Sequence, residues 1–182
     1  MKSLSFLIVI GAFTLHIQAH EAIISKKEKT NYQIDSTCVQ TIDSTIKTLY
    51  AVISGKKNQK RNWKLFKYLF KPGAKLIPSG KNREGEFTVR YLTPDDYIEN
   101  SGKWLEDHGF FEKEIHRHEN VFGPIAQVFS TYEAFNNQAD KTPFMRGINS
   151  IQLLNDGKRW WIINIYWTQE TEENPIPKQF LN

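Results

Sequence analysis

The strongest constraint on the fold is a β-hairpin predicted in the last third of the chain. Two segments rich in β-branched and aromatic residues, 144–154 and 159–170, flank the turn sequence Asn155-Asp156-Gly157-Lys158. An Asp-Gly pair between two such segments is a strong hairpin signal, because both residues tolerate the backbone angles of a tight turn. Residues 110–120 and 126–135 also favour strands, with a turn between them. This third of the chain therefore predicts antiparallel sheet.

The first half of the chain favours helices instead. Apolar side chains recur every three or four residues from Cys38 to Ile53, which predicts an amphipathic helix that ends at Gly55. A second, shorter helix is predicted from Trp63, with apolar side chains on one side and lysines on the other. Pro72-Gly73 should end this helix. Two helices thus come before any strand.

A third helix and two short strands complete the element order. Thr93 is a good N-cap and Pro94 suits the first helical position, so we expect a helix that ends near His108. Short strands are predicted at 74–78 and 86–92. Helices clustered before a mainly antiparallel sheet predict an α+β domain, with five to six strands curved around three helices.

The N-terminal residues predict export. A positive start and an uncharged apolar run of about a dozen residues are typical of a signal peptide, which we place at 1–19 with cleavage after Ala19. Cleavage after Ala22 and an uncleaved anchor are the alternatives. We expect a flexible lead-in at 20–35, one domain at 36–170 and a tail at 171–182. The mature protein would be secreted or periplasmic, without a stable membrane span.

Charge and cysteine content narrow the function classes. The net charge of +4 comes from scattered basic residues with one cluster at 56–64, which favours a solvated surface over a nucleic-acid interface. Cys38 is the single cysteine, so it cannot form an internal disulfide. Its apolar surroundings predict a buried structural thiol rather than a nucleophile.

The element order and two segments resemble one known group of proteins. GPIAQVFSTYEAF (123–135) and RGINSIQLLNDGKRWWIINIYWTQ (146–169) are similar to a strand and the final hairpin of the nuclear transport factor 2-like superfamily. This group has the SnoaL-like, ketosteroid isomerase-like cone fold, and the resemblance covers roughly 36–170. It implies a cone-shaped sheet that encloses a pocket against the helices. Some members are enzymes and others bind a ligand or partner, so the fold does not name the function.

The resemblance also implies a set of pocket residues. Period two from Trp160 puts Ile162, Asn164 and Tyr166 on one strand face, which looks into the pocket in many members. We expect this pocket to bind a small, largely apolar ligand. The predicted ligand-binding residues are Trp63, Phe66, Tyr91, Trp104, Val128, Tyr132, Trp160, Ile162, Asn164 and Tyr166. The opposite face, from Trp161 to Trp167, would be an apolar outer patch that supports a homodimer.

His116 and His118 are the candidate catalytic residues. Strand residues two apart share a face, and Glu114 has the same parity. These side chains could form an exposed face, a zinc site, or the base of an isomerase, cyclase or dehydratase. Zinc needs further ligands and no His/Cys cluster supplies them, so we predict no metal or other cofactor. A partner-binding or structural module without a working pocket is the remaining alternative.

Overall fold

Three helices and six strands make up the described part of the chain, residues 33–181 of a computed structural model. The helices are α1 (Ile42–Ile53), α2 (Trp63–Tyr68) and α3 (Pro94–His108). The strands are β1 (Phe70–Lys81), β2 (Phe87–Val89), β3 (Phe111–Phe122), β4 (Ile125–Phe135), β5 (Met145–Asn155) and β6 (Trp160–Gln169). Short 3-10 turns lie at Ser36–Val39 and Lys178–Phe180. The predicted signal peptide and most of the lead-in lie outside the described residues.

The six strands form one curved, unclosed sheet in the order β2-β1-β6-β5-β4-β3. Only β1 and β6 pair in parallel; all other neighbours are antiparallel. The predicted α+β class and mainly antiparallel sheet are therefore confirmed. The hairpin between β5 and β6 is also confirmed, with Gly157 at φ 88° in its turn. No helix among residues 33–181 combines the length and apolarity needed to cross a membrane.

Capping explains where two helices begin. The Thr93 hydroxyl accepts a hydrogen bond from the Asp96 amide, and the Asp96 carboxylate accepts one from the Thr93 amide. Thr41 and Ser44 form the same reciprocal pair at the start of α1. Such capping boxes satisfy amides that have no partner within the helix. The helix predicted from Cys38 therefore begins at Ile42, and Cys38 lies in the preceding 3-10 turn.

The prediction for the segment after Trp63 was partly wrong. Helix α2 ends at Tyr68, and Pro72-Gly73 lies inside β1 instead of stopping a helix. The register of β1 against β6 shifts between Phe70 and Lys75, so the proline occupies an irregular part of the strand where no regular ladder bond is lost. The strand predicted at 86–92 is reduced to the three exposed residues of β2.

Two β-bulges decide which side chains face the helices. In β3 the register shifts between Glu114 and His116, and in β6 it shifts between Ile162 and Asn164. An extra residue in one strand reverses the alternation beyond it. Each of these strands therefore presents even-numbered residues to the helices before its bulge and odd-numbered residues after it.

The core lies between the concave sheet face and the helices. Its fully buried side chains include Ile46 of α1, Phe66 of α2, Val128 of β4 and Ile162 of β6. Burying one such side chain contributes about 1.5–3 kcal/mol. This packing holds α1 against the sheet and leaves one part of the cone interior unfilled.

The C-terminal tail packs on the opposite, outer face of the sheet. Phe180 makes an edge contact with Phe129 of β4, with ring centroids 5.0 Å apart, and its carbonyl oxygen accepts a hydrogen bond of 2.7 Å from Thr131. Ile176 is buried, and its amide donates to Glu170. The tail thus covers part of the outer face.

Candidate functional site

A cavity of about 220 Å³ lies between the helices and the concave face of the sheet. Its wall is strongly aromatic; the rings come from Tyr50, Phe66, Tyr97, Trp104, Phe110, Tyr132 and Trp167. Phe66 and Tyr97 stack with centroids 5.4 Å apart, which holds both rings in place. Trp104 is 44% exposed and marks the mouth of the cavity. None of the described residues that line the cavity is Lys, Arg or His.

Glu112 is the one acidic or basic residue among the described residues that line this cavity. It is the second residue of β3, and its carboxyl group accepts a hydrogen bond from the Asn149 side chain at 3.3 Å. Desolvation by the surrounding protein raises the pKa of Glu112 to about 8, although the Asn149 hydrogen bond acts to lower it. A carboxyl group with such a pKa is mostly protonated at neutral pH and can both donate and release a proton.

Three tyrosines around Glu112 stay neutral phenols. Burial raises the pKa of Tyr50, Tyr97 and Tyr132 above the ordinary value of a phenol, and the charge of Glu112 raises each further. A neutral phenol donates one hydrogen bond and accepts others. These side chains can therefore orient a ligand but do not act as bases near neutral pH.

A chain of hydrogen bonds leads from an ion pair to Glu112, and its middle section at Tyr50 is buried. Arg117 binds both carboxylate oxygens of Glu114, at 2.9 and 2.6 Å. Ser130 donates to Glu114 at 2.5 Å, and Tyr50 lies 2.7 Å from the Ser130 hydroxyl. The Asn149 amide group donates to Tyr50 at 3.1 Å and to Glu112. Residues of α1, β3, β4 and β5 thus share one polar network.

The direction of this chain is set by the ion pair at its end. The Glu114 carboxylate only accepts, so the Ser130 proton is used there and Tyr50 must donate to Ser130. Asn149 then supplies one N–H to Tyr50 and the other to Oε1 of Glu112. Oε1 is consequently an acceptor in either protonation state. Any proton of Glu112 is carried by Oε2, the oxygen that has no hydrogen-bond partner among the described residues.

Glu112 also borders an outer groove of about 480 Å³ between α1 and β3. Two lysines line this groove, but each pairs with another acid: Lys47 with Asp43 at 2.8 Å and Lys113 with Glu133 at 3.2 Å. Among the described residues, no basic side chain forms an ion pair with Glu112. The acid is therefore half-buried and has no counter-ion among these residues.

Three of the predicted ligand-binding residues lie on the cavity wall: Phe66, Trp104 and Tyr132. The others lie elsewhere. Val128 and Ile162 are fully buried in the core, Trp160 packs against that core, and Tyr91 is 68% exposed. Trp63 stands beside the cavity, edge-on to Phe66.

The positions predicted for Asn164 and Tyr166 were wrong. The bulge in β6 turns both side chains to the outer face, where Asn164 bonds to Gln152 and Tyr166 is 46% exposed. Ile165 and Trp167 face the cavity in their place. The apolar outer patch predicted from Trp161 to Trp167 is therefore divided between two faces. Homodimer formation stays a prediction, now without that patch as its basis.

The shared face predicted for Glu114, His116 and His118 was also wrong. After the bulge in β3, His116 pairs with Thr131 and His118 with Phe129, whose side chains meet the tail on the outer face. Glu114 instead faces the helices with Arg117. Neither histidine lines the cavity. The three side chains do not converge, so this geometry supports neither a metal site nor a histidine base in the cone.

Glu112 is the functional candidate that the sequence analysis missed. Local parity did not single it out: Phe110 shares the parity of Glu112, but the adjacent Phe111, the first residue of β3, supports the opposite assignment. Phe110 is buried and lines the same cavity. The alternation was instead assigned from the histidines, which lie beyond the bulge.

Comparison with solved structures identifies the fold. A provisionally assigned dehydratase of the NTF2-like family from Streptomyces avermitilis matches with a TM-score of 0.54 and 9% identity, covering 74% of this chain and 97% of that one. A provisionally assigned scytalone dehydratase from Novosphingobium aromaticivorans matches with a TM-score of 0.54 and 12% identity, covering 71% of this chain and 82% of that one. A Mycobacterium tuberculosis protein of unknown function matches at 0.56 and 12%, covering 75% of each chain.

The chain therefore has the nuclear transport factor 2-like cone fold, as the resemblance implied. No protein-family model and no curated protein sequence matches the chain. Identities this low show the fold alone, so any function has to be argued from the cavity.

Proposed function

We propose that this protein binds one small, largely apolar molecule in the cone cavity, with a single polar group of the ligand directed at Glu112. The observation that carries the proposal is the combination of an aromatic wall with one partly satisfied carboxyl group. Ligand pockets are mostly apolar with a few polar groups that fix orientation. A cavity of about 150 Å³ holds benzene, so about 220 Å³ suits one ring with a short side chain.

Filling the cavity tests this proposal. Ser101 lines the cavity from α3, whereas its neighbour Asn100 is exposed on the same helix. Ser101→Phe should abolish the binding of small aromatic molecules, measured by isothermal titration calorimetry. Asn100→Phe adds the same ring to the surface and should leave binding unchanged. Equal binding by both variants would contradict the proposal.

Native mass spectrometry of the protein purified from its own host gives an independent test. A bound small molecule should appear with the wild-type protein and the Asn100→Phe variant, and should be absent from Ser101→Phe. The identity of that molecule would then define the biological ligand. Export through a signal peptide stays a separate prediction, tested by the N-terminal sequence of the secreted protein.

A second candidate function is proton transfer by an isomerase or dehydratase that uses Glu112. The observation that favours it is the position of Glu112 on the cavity wall with Oε2 unpaired among the described residues. Its raised pKa, about 8, suits a group that gains and loses a proton near neutral pH. The histidines predicted for this role lie on the outer face, so the acid takes their place. If a bound carbonyl compound exchanges its α-hydrogen for deuterium in heavy water, the exchange should stop in Glu112→Gln. Exchange that persists in this variant would exclude the role.

A further inference from the structure

The wall of the cone cavity combines two features that suit a positively charged ligand. The first is a set of aromatic rings that line the cavity. Tyr97 and Trp104 belong to α3, Phe110 lies just before β3, and Tyr132 belongs to β4. The faces of aromatic rings attract cations, and the effect is stronger where water is excluded. An anion would meet the same faces unfavourably, and no Lys, Arg or His among the described lining residues would offset this.

The second feature is the half-buried carboxyl group of Glu112, which lines both the cavity and the neighbouring groove. Its Oε1 accepts from Asn149, and its Oε2 has no hydrogen-bond partner among the described residues. The two lysines of the neighbouring groove are paired with Asp43 and Glu133. Partial loss of water around an acid without a counter-ion disfavours its ionised form until a cationic partner binds. A ligand cation would supply that partner.

We propose that the cavity ligand is a small primary amine, bound as its ammonium ion to the Glu112 carboxylate inside the aromatic wall. This inference rests on the proposed function and names its ligand class. The cavity volume, about 220 Å³, admits an arylalkylamine with one ring and a short chain. The side-chain amide of Asn149 donates a hydrogen bond that favours the ionised form of Glu112. This hydrogen bond would therefore support the carboxylate in the ion pair with the ammonium group.

Binding of a cation should displace the proton of Glu112. Since its pKa is about 8 without ligand, the acid is mostly protonated at pH 7, and binding should release about 0.9 proton per amine. The other titratable groups that face Glu112 are Tyr50, Tyr97 and Tyr132, whose raised pKa values keep them neutral between pH 6 and pH 9. The nearby Glu114 carboxylate is paired with the Arg117 guanidinium group, which donates hydrogen bonds to both of its oxygens. Amine affinity should therefore rise about ninefold from pH 6 to 7 and about fivefold from pH 7 to 8.

A matched pair of probes tests the inference: 2-phenylethylamine and 2-phenylethanol, which differ only in the charged terminal group. We would measure both by calorimetry at pH 6, 7 and 8, in two buffers with different ionisation enthalpies, to count released protons. Wild-type protein should bind the amine with the predicted pH dependence and the alcohol with less than about threefold change. Glu112→Gln should lose the preference for the amine and its proton release while still binding the alcohol, which shows that the cavity is intact.

Glu99→Gln is the control for removing an acid, because Glu99 is exposed on α3. It should bind both probes as the wild type does. If the alcohol binds and the amine binds no better, without proton release, the amine inference is overturned and the proposed function stands. An amine preference that survives in Glu112→Gln also overturns it. If neither probe binds the wild type, the proposed function fails together with the inference.

Discussion

Replacing Glu112 by glutamine should change how the stability of the protein depends on pH. Glutamine has the same shape, and its side-chain oxygen can still accept the hydrogen bond from Asn149. The variant therefore removes one titration and little else. Because burial raises the pKa of Glu112 from 4.5 to about 8, the folded state holds this proton over a pH range in which the unfolded state has lost it.

The sign follows from the protons bound in each state. Between the two pKa values the folded state binds more protons, so the free energy of unfolding of the wild type falls as pH rises. Integrating from pH 5 to pH 8 gives a loss of about 3.5 kcal/mol as an upper limit. Relaxation and solvent in the neighbouring groove reduce this value. The loss is complete by about pH 9, where both states are ionised.

Urea unfolding of both proteins at half-unit steps from pH 5 to pH 9 measures the effect. Other groups titrate equally in both proteins, so the difference between the two unfolding free energies isolates Glu112. We expect this difference to shift in favour of the variant by up to about 3.5 kcal/mol, equivalent to roughly 10 °C in the melting temperature. The free energy of unfolding of Glu99→Gln should show the same pH dependence as that of the wild type. If the free energy of unfolding of Glu112→Gln also shows the wild-type pH dependence, Glu112 is not a desolvated acid and its raised pKa is refuted.

Three other substitutions test separate parts of the structure. Gly147→Ala should destabilise the protein by about 1–3 kcal/mol in urea unfolding, because its Cβ would lie 2.5 Å from the Tyr132 hydroxyl and from a β6 carbonyl oxygen; wild-type stability would refute that packing. Arg61→Lys should cost about 3 kcal/mol in the same assay, since Arg61 is buried and its guanidinium binds backbone carbonyls of α1 and α3; a loss below about 0.5 kcal/mol would contradict this role. Phe180→Ala removes the ring contact with Phe129 and should speed tryptic cleavage in the tail without changing ligand affinity in the cavity; unchanged cleavage would mean that the contact does not hold the tail.

Local signals in the sequence predicted most of the element order. The Asp156-Gly157 turn defines the β5–β6 hairpin because those residues accept turn angles without help from distant contacts. Thr93 and Pro94 mark the start of α3 for a similar reason, since capping involves residues three positions apart. Pro72-Gly73 was predicted to end a helix, because this pair rarely continues one. In the structure it lies in β1, where the irregular pairing with β6 accommodates it.

The sequence by itself thus determined the α+β class, the terminal hairpin and the N-cap of α3; the hairpin turn and the cap depend on neighbouring residues. Only the tertiary structure decided which side chains face the cavity. The bulges in β3 and β6 arise from pairing with β4 and β5, and each reverses the alternation on which the assignment of His116, Asn164 and Tyr166 depended. The pKa of Glu112 was equally beyond the sequence, because α1, α3 and the strands must assemble before the carboxyl group loses its water.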